Sequence, residues 1–171
     1  MEVRSIDTIV KVLNEAKVEY LIVGGLAVNA HGYKRLTDDV DLVIGLEPGN
    51  IIGGLNALFS VGYRMSIPVT PEDFADAEKR ETWRKDKNMI VLKLWSDEHR
   101  RTPIDVFVYE PFDFHRAYSS AQWLPLGTDL QAPIVDFETL VRMKEAAGRP
   151  QDLADISELK RFQELRRRRN Q

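Results

Sequence analysis

The 171-residue chain contains no cysteine and only three histidines. Disulfide frameworks, thiolate metal sites and cysteine nucleophiles are thereby excluded. A zinc centre would have to draw on His31, His99 and His115, whose spacing is unlike that of metal ligands. No apolar run approaches the roughly 20 residues needed to cross a bilayer, and the stretch MEVRSIDTIVKVLNEAK interleaves acids with its apolar residues, unlike a secretory leader. The expectation is a cytoplasmic protein with no membrane contact. An excess of positive charge is also lacking. The formal net charge is −3, which argues against nucleic-acid binding over the whole surface. The local exception, Arg166-Arg167-Arg168-Arg169, reads first as a solvated helix end, where cations suit the macrodipole.

What is present is ordinary for a folded protein: 43% hydrophobic residues over a length that supports a full core. Ile6, Ile9, Val10 and Leu13 recur at helical spacing and predict a helix over about 4–17. Tyr20-Leu21-Ile22-Val23 reads as a buried strand ended by Gly24-Gly25, with a short helix to His31 behind it. A second buried strand covers Val40 to Ile44, and Pro48 opens a helix to about Ser60. The charged residues 70–87 predict an exposed helix or mobile segment. Met89 to Trp95 and Ile104 to Tyr109 predict a hairpin pair, and Leu124 to Ile134 one or two weaker strands. Val135 to Ala147 and a last helix from Pro150 are helical, with Gly148 as C-cap. The pattern predicts an α+β fold: a mixed sheet flanked by helices, as a core over 1–134 and a C-terminal helical appendage over 135–171 packed on it.

The chemistry concentrates in three acids. Alternation along a strand puts Asp39 and Asp41 on one face, about 7 Å apart at the backbone. Two bare carboxylates so placed repel each other; a divalent cation removes the penalty and takes hard oxygen ligands. Asp105 interrupts the apolar strand Pro103-Ile104-Asp105-Val106-Phe107-Val108, where a lone carboxylate is costly. If the strands are neighbours, three acids converge on a pair of cations roughly 3.5–4 Å apart that can clamp the entering and leaving oxygens of a phosphoryl displacement. Gly24-Gly25 allows close approach of an anion, and the helix behind offers free N–H groups to phosphate. No Gly-Lys-Ser/Thr follows, so this is not a Walker loop, and it is not a dinucleotide fingerprint.

Gly24-Gly25, then Asp39-x-Asp41, then Asp105 on a later strand resembles the nucleotidyltransferase superfamily typified by DNA polymerase beta. The run from Val23 to Leu42 and the tail from Met143 to Ile156 are similar to the small bacterial nucleotidyltransferases of abortive-infection and toxin–antitoxin type, with the middle of the chain poorly matched. The resemblance implies a two-metal, Mg²⁺-dependent enzyme moving NMP from an NTP to a hydroxyl of tRNA or other RNA, a protein or a small molecule, as the toxin of such a system with a cognate antitoxin. Asp39 and Asp41 would bind both ions; Asp105 would bind the catalytic one and help accept the acceptor proton. Gly24 and Gly25 would face the β- and γ-phosphates. Arg35 and Thr37 would contact phosphate by charge and hydroxyl, Lys144 would hold the triphosphate with Arg149 as companion, and Asp38 would be structural. Two competing readings are a non-catalytic nucleotide-binding or antitoxin-like relative, and an RNA-binding module built on the arginine run. The retained acids oppose the first, and the absence of an aromatic-interleaved basic motif opposes the second. Trp83, Trp95 and Trp123 are read as packing residues before base-stacking ones.

Overall fold

The apolar stripe of α1 (Val3–Glu15) buries Ile9, Val10 and Leu13 completely, which is what its helical spacing demands. In this computed structural model, residues 2–126 and 129–169 are described. Gly127 and Thr128, within the span of weaker predicted strands, lie outside the described residues, as do Met1, Asn170, Gln171 and the side chain of Arg169. The chain continues through β1 (Tyr20–Ile22), α2 (Gly24–Ala30), β2 (Val40–Ile44), α3 (Pro48–Ser60), β3 (Arg64–Met65), α4 (Pro71–Ala75) and α5 (Ala77–Lys87). Then come β4 (Val91–Trp95), β5 (Ile104–Phe107), α6 (Phe114–Ser119), β6 (Gln122–Leu126), β7 (Leu130–Ile134), α7 (Phe137–Ala147) and α8 (Pro150–Arg169).

The strands form one seven-stranded sheet in the order β3-β4-β5-β2-β1-β7-β6. Its centre is mixed: β1 runs antiparallel to β2, while β2 pairs parallel with β5 and β1 parallel with β7. The outer pairs are antiparallel, including the hairpin of β4 and β5 expected from the sequence. The α+β architecture with a mixed sheet, flanking helices and a C-terminal helix is therefore as predicted. Leu140 of α7 and Leu159 of α8 are fully buried and join the same apolar core as the sheet, so the C-terminal helices are held by the hydrophobic effect as well as by charge. No helix among the described residues is long and apolar enough to cross a membrane.

Of the two expectations for segment 70–87, the structure takes the helical one. The segment folds into two short helices because its few apolar residues are well placed: Phe74 is fully buried and Trp83 nearly so, packed against each other. Thr70 and Asp73 close a capping box on α4, and Asp76 accepts from the Glu78 and Lys79 amides at the start of α5. Buried Arg80 donates to the Phe74 carbonyl. Strand β3 was not anticipated, since two residues carry no periodicity to read.

Candidate metal centre

Strand register brings two of the acids side by side. β2 and β5 are distant in sequence but adjacent in the sheet, with Asp41 directly paired to Asp105. Asp39 lies one residue before β2 and, two positions from Asp41, shares its face. One carboxylate oxygen from each of Asp39, Asp41 and Asp105 lies within 4.8 Å of the others. Two oxygens bound to one small hard cation at about 2.1 Å can be at most about 4.2 Å apart, so the cluster is close to a cation's coordination sphere without rearrangement of the sheet.

The glycine turn is built around the same acids. Gly24 has φ +60, and a Cβ placed on it would overlap the Asp41 carboxylate. A side chain here would therefore meet both backbone strain and steric overlap. The Gly25 amide donates a hydrogen bond to the Asp41 carboxylate, and a Cβ on Gly25 would run into the Thr37 side chain. The glycines thus let the start of α2 close over Asp41, and they bring Thr37 against the turn. Whatever they do for phosphate, one of the two amides already serves the acid.

Asp41 is pushed up to about 6, first by burial and then by repulsion from Asp39 and Asp105; the Gly25 hydrogen bond and the Lys144 charge pull the other way. Asp105 is 9% exposed. Its Oδ1 is buried and takes no well-aligned hydrogen bond among the described residues, with the Lys93 ammonium 3.1 Å away. A concentrated, incompletely neutralised carboxylate set is chemically suited to a divalent cation, so the residues fit the group that the acid pattern implies.

Lys93 was missed in the sequence. It sits on β4 directly opposite Asp105 in the antiparallel register, and the available signal was a lone cation at an alternating position in Val-Leu-Lys-Leu-Trp.

A second charged group backs the first. Lys144 is 5% exposed, with its Nζ 2.9 Å from Asp152 and 2.7 Å from Asp155. Arg35 reaches the same Asp155 with Nε at 2.8 Å and Nη2 at 3.0 Å. Arg149 holds Asp152 through Nε at 2.7 Å, and Gln151 adds a hydrogen bond to Asp155. Burial works against ionisation of Asp152, but hydrogen bonds from Arg149 and Lys144 outweigh it and hold the group below the usual carboxylate range. Asp155 is lowered in the same way, by Lys144, Gln151 and Arg35. Three cations face two carboxylates here. The surplus positive charge is felt across the site: Lys144 acts on Asp41, and Arg149 senses both Asp41 and Asp39.

The structure thus places Arg35, Lys144 and Arg149 in one network behind the acids, with Lys144 enclosed and Arg149 largely open to solvent. Asp152 and Asp155, near the start of α8, are the counter-ions that gather these cations. Asp38 is exposed. His31 is buried, its Nε2 2.8 Å from the Val135 carbonyl oxygen, consistent with packing.

Solved structures share this architecture. The lincosamide antibiotic adenylyltransferase LnuA, lincomycin-bound, matches with a TM-score of 0.56 over 93% of this chain and 96% of its own, at 14% identity. An antigenic nucleotidyltransferase-like protein from Paracoccidioides brasiliensis matches with a TM-score of 0.54 over 92% of this chain and 75% of its own, at 18% identity. No protein-family model and no curated protein matches the sequence. At such identities the likeness shows the fold alone: this is a nucleotidyltransferase-like fold carrying a candidate acidic metal triad.

Proposed function

We propose that the protein is a Mg²⁺-dependent nucleotidyltransferase that moves NMP from an NTP to a hydroxyl acceptor. The observation that carries this reading is the convergence of Asp39, Asp41 and Asp105, from two neighbouring strands, beside the Gly24-Gly25 turn. The same acids on a purely structural scaffold would only repel one another, and Asp41 is raised first by its burial and then by Asp39 and Asp105.

In this reading Asp39, Asp41 and Asp105 hold Mg²⁺, which when bound supplies Lewis acidity and offsets charge on the reacting phosphate. The acceptor hydroxyl oxygen attacks the α-phosphorus, the bond from that phosphorus to the α,β-bridging oxygen breaks, and pyrophosphate leaves. Asp105 takes the hydroxyl proton, with Lys93 beside it. The triphosphate lies on the opposite side, over the glycine turn, where Thr37, Arg35, Lys144 and Arg149 supply a hydroxyl and net positive charge. Arg149, paired with Asp152 but with its side chain 75% exposed, is the cation of the network most open to the triphosphate, while Lys144 acts from within. The resemblance to abortive-infection and toxin–antitoxin enzymes extends the reading to a toxin whose acceptor is tRNA, another RNA or a protein, and which pairs with an antitoxin.

The test is incubation with each α-labelled NTP, Mg²⁺ and total cellular RNA or protein, followed by gel separation. Label should move to an acceptor, with release of pyrophosphate, and stop with Asp39→Asn or Asp105→Asn. Transfer that survives both substitutions, or no transfer by the wild type with any NTP, defeats the proposal.

A further inference from the structure

The sheet face that carries the acids does not end at Asp105. In the Cα register Asp41, Asp105 and Lys93 form one row across β2, β5 and β4. Two residues further along β4, about 7 Å away, Trp95 lies on the same face, since Leu92 and Leu94 are the buried partners of the alternation. Directly across from Trp95 on the edge strand is Arg64. Lys93, Trp95 and Arg64 therefore form a continuation of the metal-site face, on the side away from the glycine turn.

Trp95 is unlike the other two tryptophans. Trp83 is buried against Phe74, and Trp123 leans on Tyr118. Trp95 is 42% exposed, much as Trp123 is at 44%, but unlike Trp123 it has no ring partner among the described residues. Arg64 is exposed and makes no ion pair among them. An open indole costs apolar exposure and contributes nothing to the core, and it stands between the proton-accepting side of the site and an unpaired guanidinium.

We infer that this strip binds the acceptor, and that the acceptor is the 3′ end of a single-stranded RNA. This rests on the nucleotidyltransferase reading and names its acceptor class. A planar base stacks on Trp95, its backbone phosphate meets Arg64, and the terminal hydroxyl falls toward Asp105. The distance from Trp95 to the acid row, about 8 Å between backbones, is on the scale of one nucleotide from base to sugar hydroxyl. Stacking on an aromatic is tolerant of base identity, as expected of an end-modifying enzyme. Lys93 is already paired with Asp105, but a cationic small molecule such as an aminoglycoside would meet the unpaired Arg64 guanidinium here, so the charge at the far end of the strip argues for an anionic backbone.

The probe is a 5′-fluorescein-labelled octaadenylate with a free 3′ hydroxyl, titrated by fluorescence anisotropy in Mg²⁺ with α,β-methylene ATP. Trp95→Ala should weaken binding by about tenfold, within the range that one stacked base contributes, while Trp95→Phe stays close to wild type. Arg64→Gln should weaken binding and flatten its dependence on salt. A variant with Arg166, Arg167 and Arg168 all changed to Gln should bind as the wild type does. Unchanged affinity in Trp95→Ala, loss only in the triple-arginine variant, or no binding by the wild type overturns the inference. Thermal melts of Trp95→Ala and Arg64→Gln serve as fold controls, and either variant alone suffices if the other is unstable. Calorimetry with Mg²⁺ and α,β-methylene ATP is run in parallel. If the nucleotide binds and RNA binding ignores Trp95, only the acceptor assignment falls. If neither this analogue nor the α,β-methylene analogues of the other three NTPs bind, the donor reading falls and takes the acceptor with it.

Discussion

Asp41→Asn isolates the electrostatic cost of the acid cluster. In the metal-free protein Asp41 rises from its ordinary 3.8 to about 6, chiefly through burial, with repulsion from Asp39 and Asp105 added. A folded-state value above the unfolded one means that ionisation opposes folding. Wild-type stability from this group is thus complete below its unfolded value and is lost as pH rises through about 6. The size of the rise corresponds to about 3 kcal/mol withheld at neutral pH. Asn removes that charge but leaves a weaker acceptor for the Gly25 amide, a loss of about 1 kcal/mol. The net gain of about 2 kcal/mol should raise Tm by about 4–8 °C for a chain of this size. Calorimetric melts in EDTA at pH 7.5 should show this gain, and melts near pH 4 should show it gone, because the wild-type carboxyl is then largely protonated in the folded state. Adding Mg²⁺ and NTP should stabilise the wild type and leave the variant nearly unmoved. A variant that melts below wild type in EDTA at pH 7.5, with neither protein responding to Mg²⁺ and NTP, would refute the reasoning.

Other substitutions probe the surroundings of the acids. Gly24→Ala places a methyl on the Asp41 carboxylate at a positive φ, so it should cost about 2 kcal/mol or more and abolish the Mg²⁺ response; Gly49→Ala, whose added Cβ meets nothing within 4 Å, should melt as the wild type does. Lys93→Met removes the cation facing Asp105, and Mn²⁺ affinity measured by electron paramagnetic resonance should rise about tenfold; an unchanged affinity would mean that Lys93 does not compete with a metal. Lys144→Ala leaves Asp152 and Asp155 buried with one fewer counter-ion, so urea unfolding should show a loss of about 3 kcal/mol; a neutral result would show that Arg35 and Arg149 suffice.

Some of this was legible in residues alone because the signals are local. Alternation in Val40–Ile44 set the common face of Asp39 and Asp41, an acid in the apolar strand around Asp105 marked a cost needing an explanation, and Gly148 and Pro150 marked the joint between the last helices. Those patterns follow from the periods of strand and helix, which any short stretch of chain carries with it. The tertiary structure decided what no period contains. It set β5 parallel beside β2, so that Asp105 meets Asp41 and not another residue. It folded α8 back so that Asp155 reaches Arg35 across 120 positions. It laid Lys93 opposite Asp105 and left the Trp95 ring open two positions on. Strand partners are chosen by which apolar faces can be buried together over the whole chain, and charges far apart in sequence then meet as a consequence of that choice.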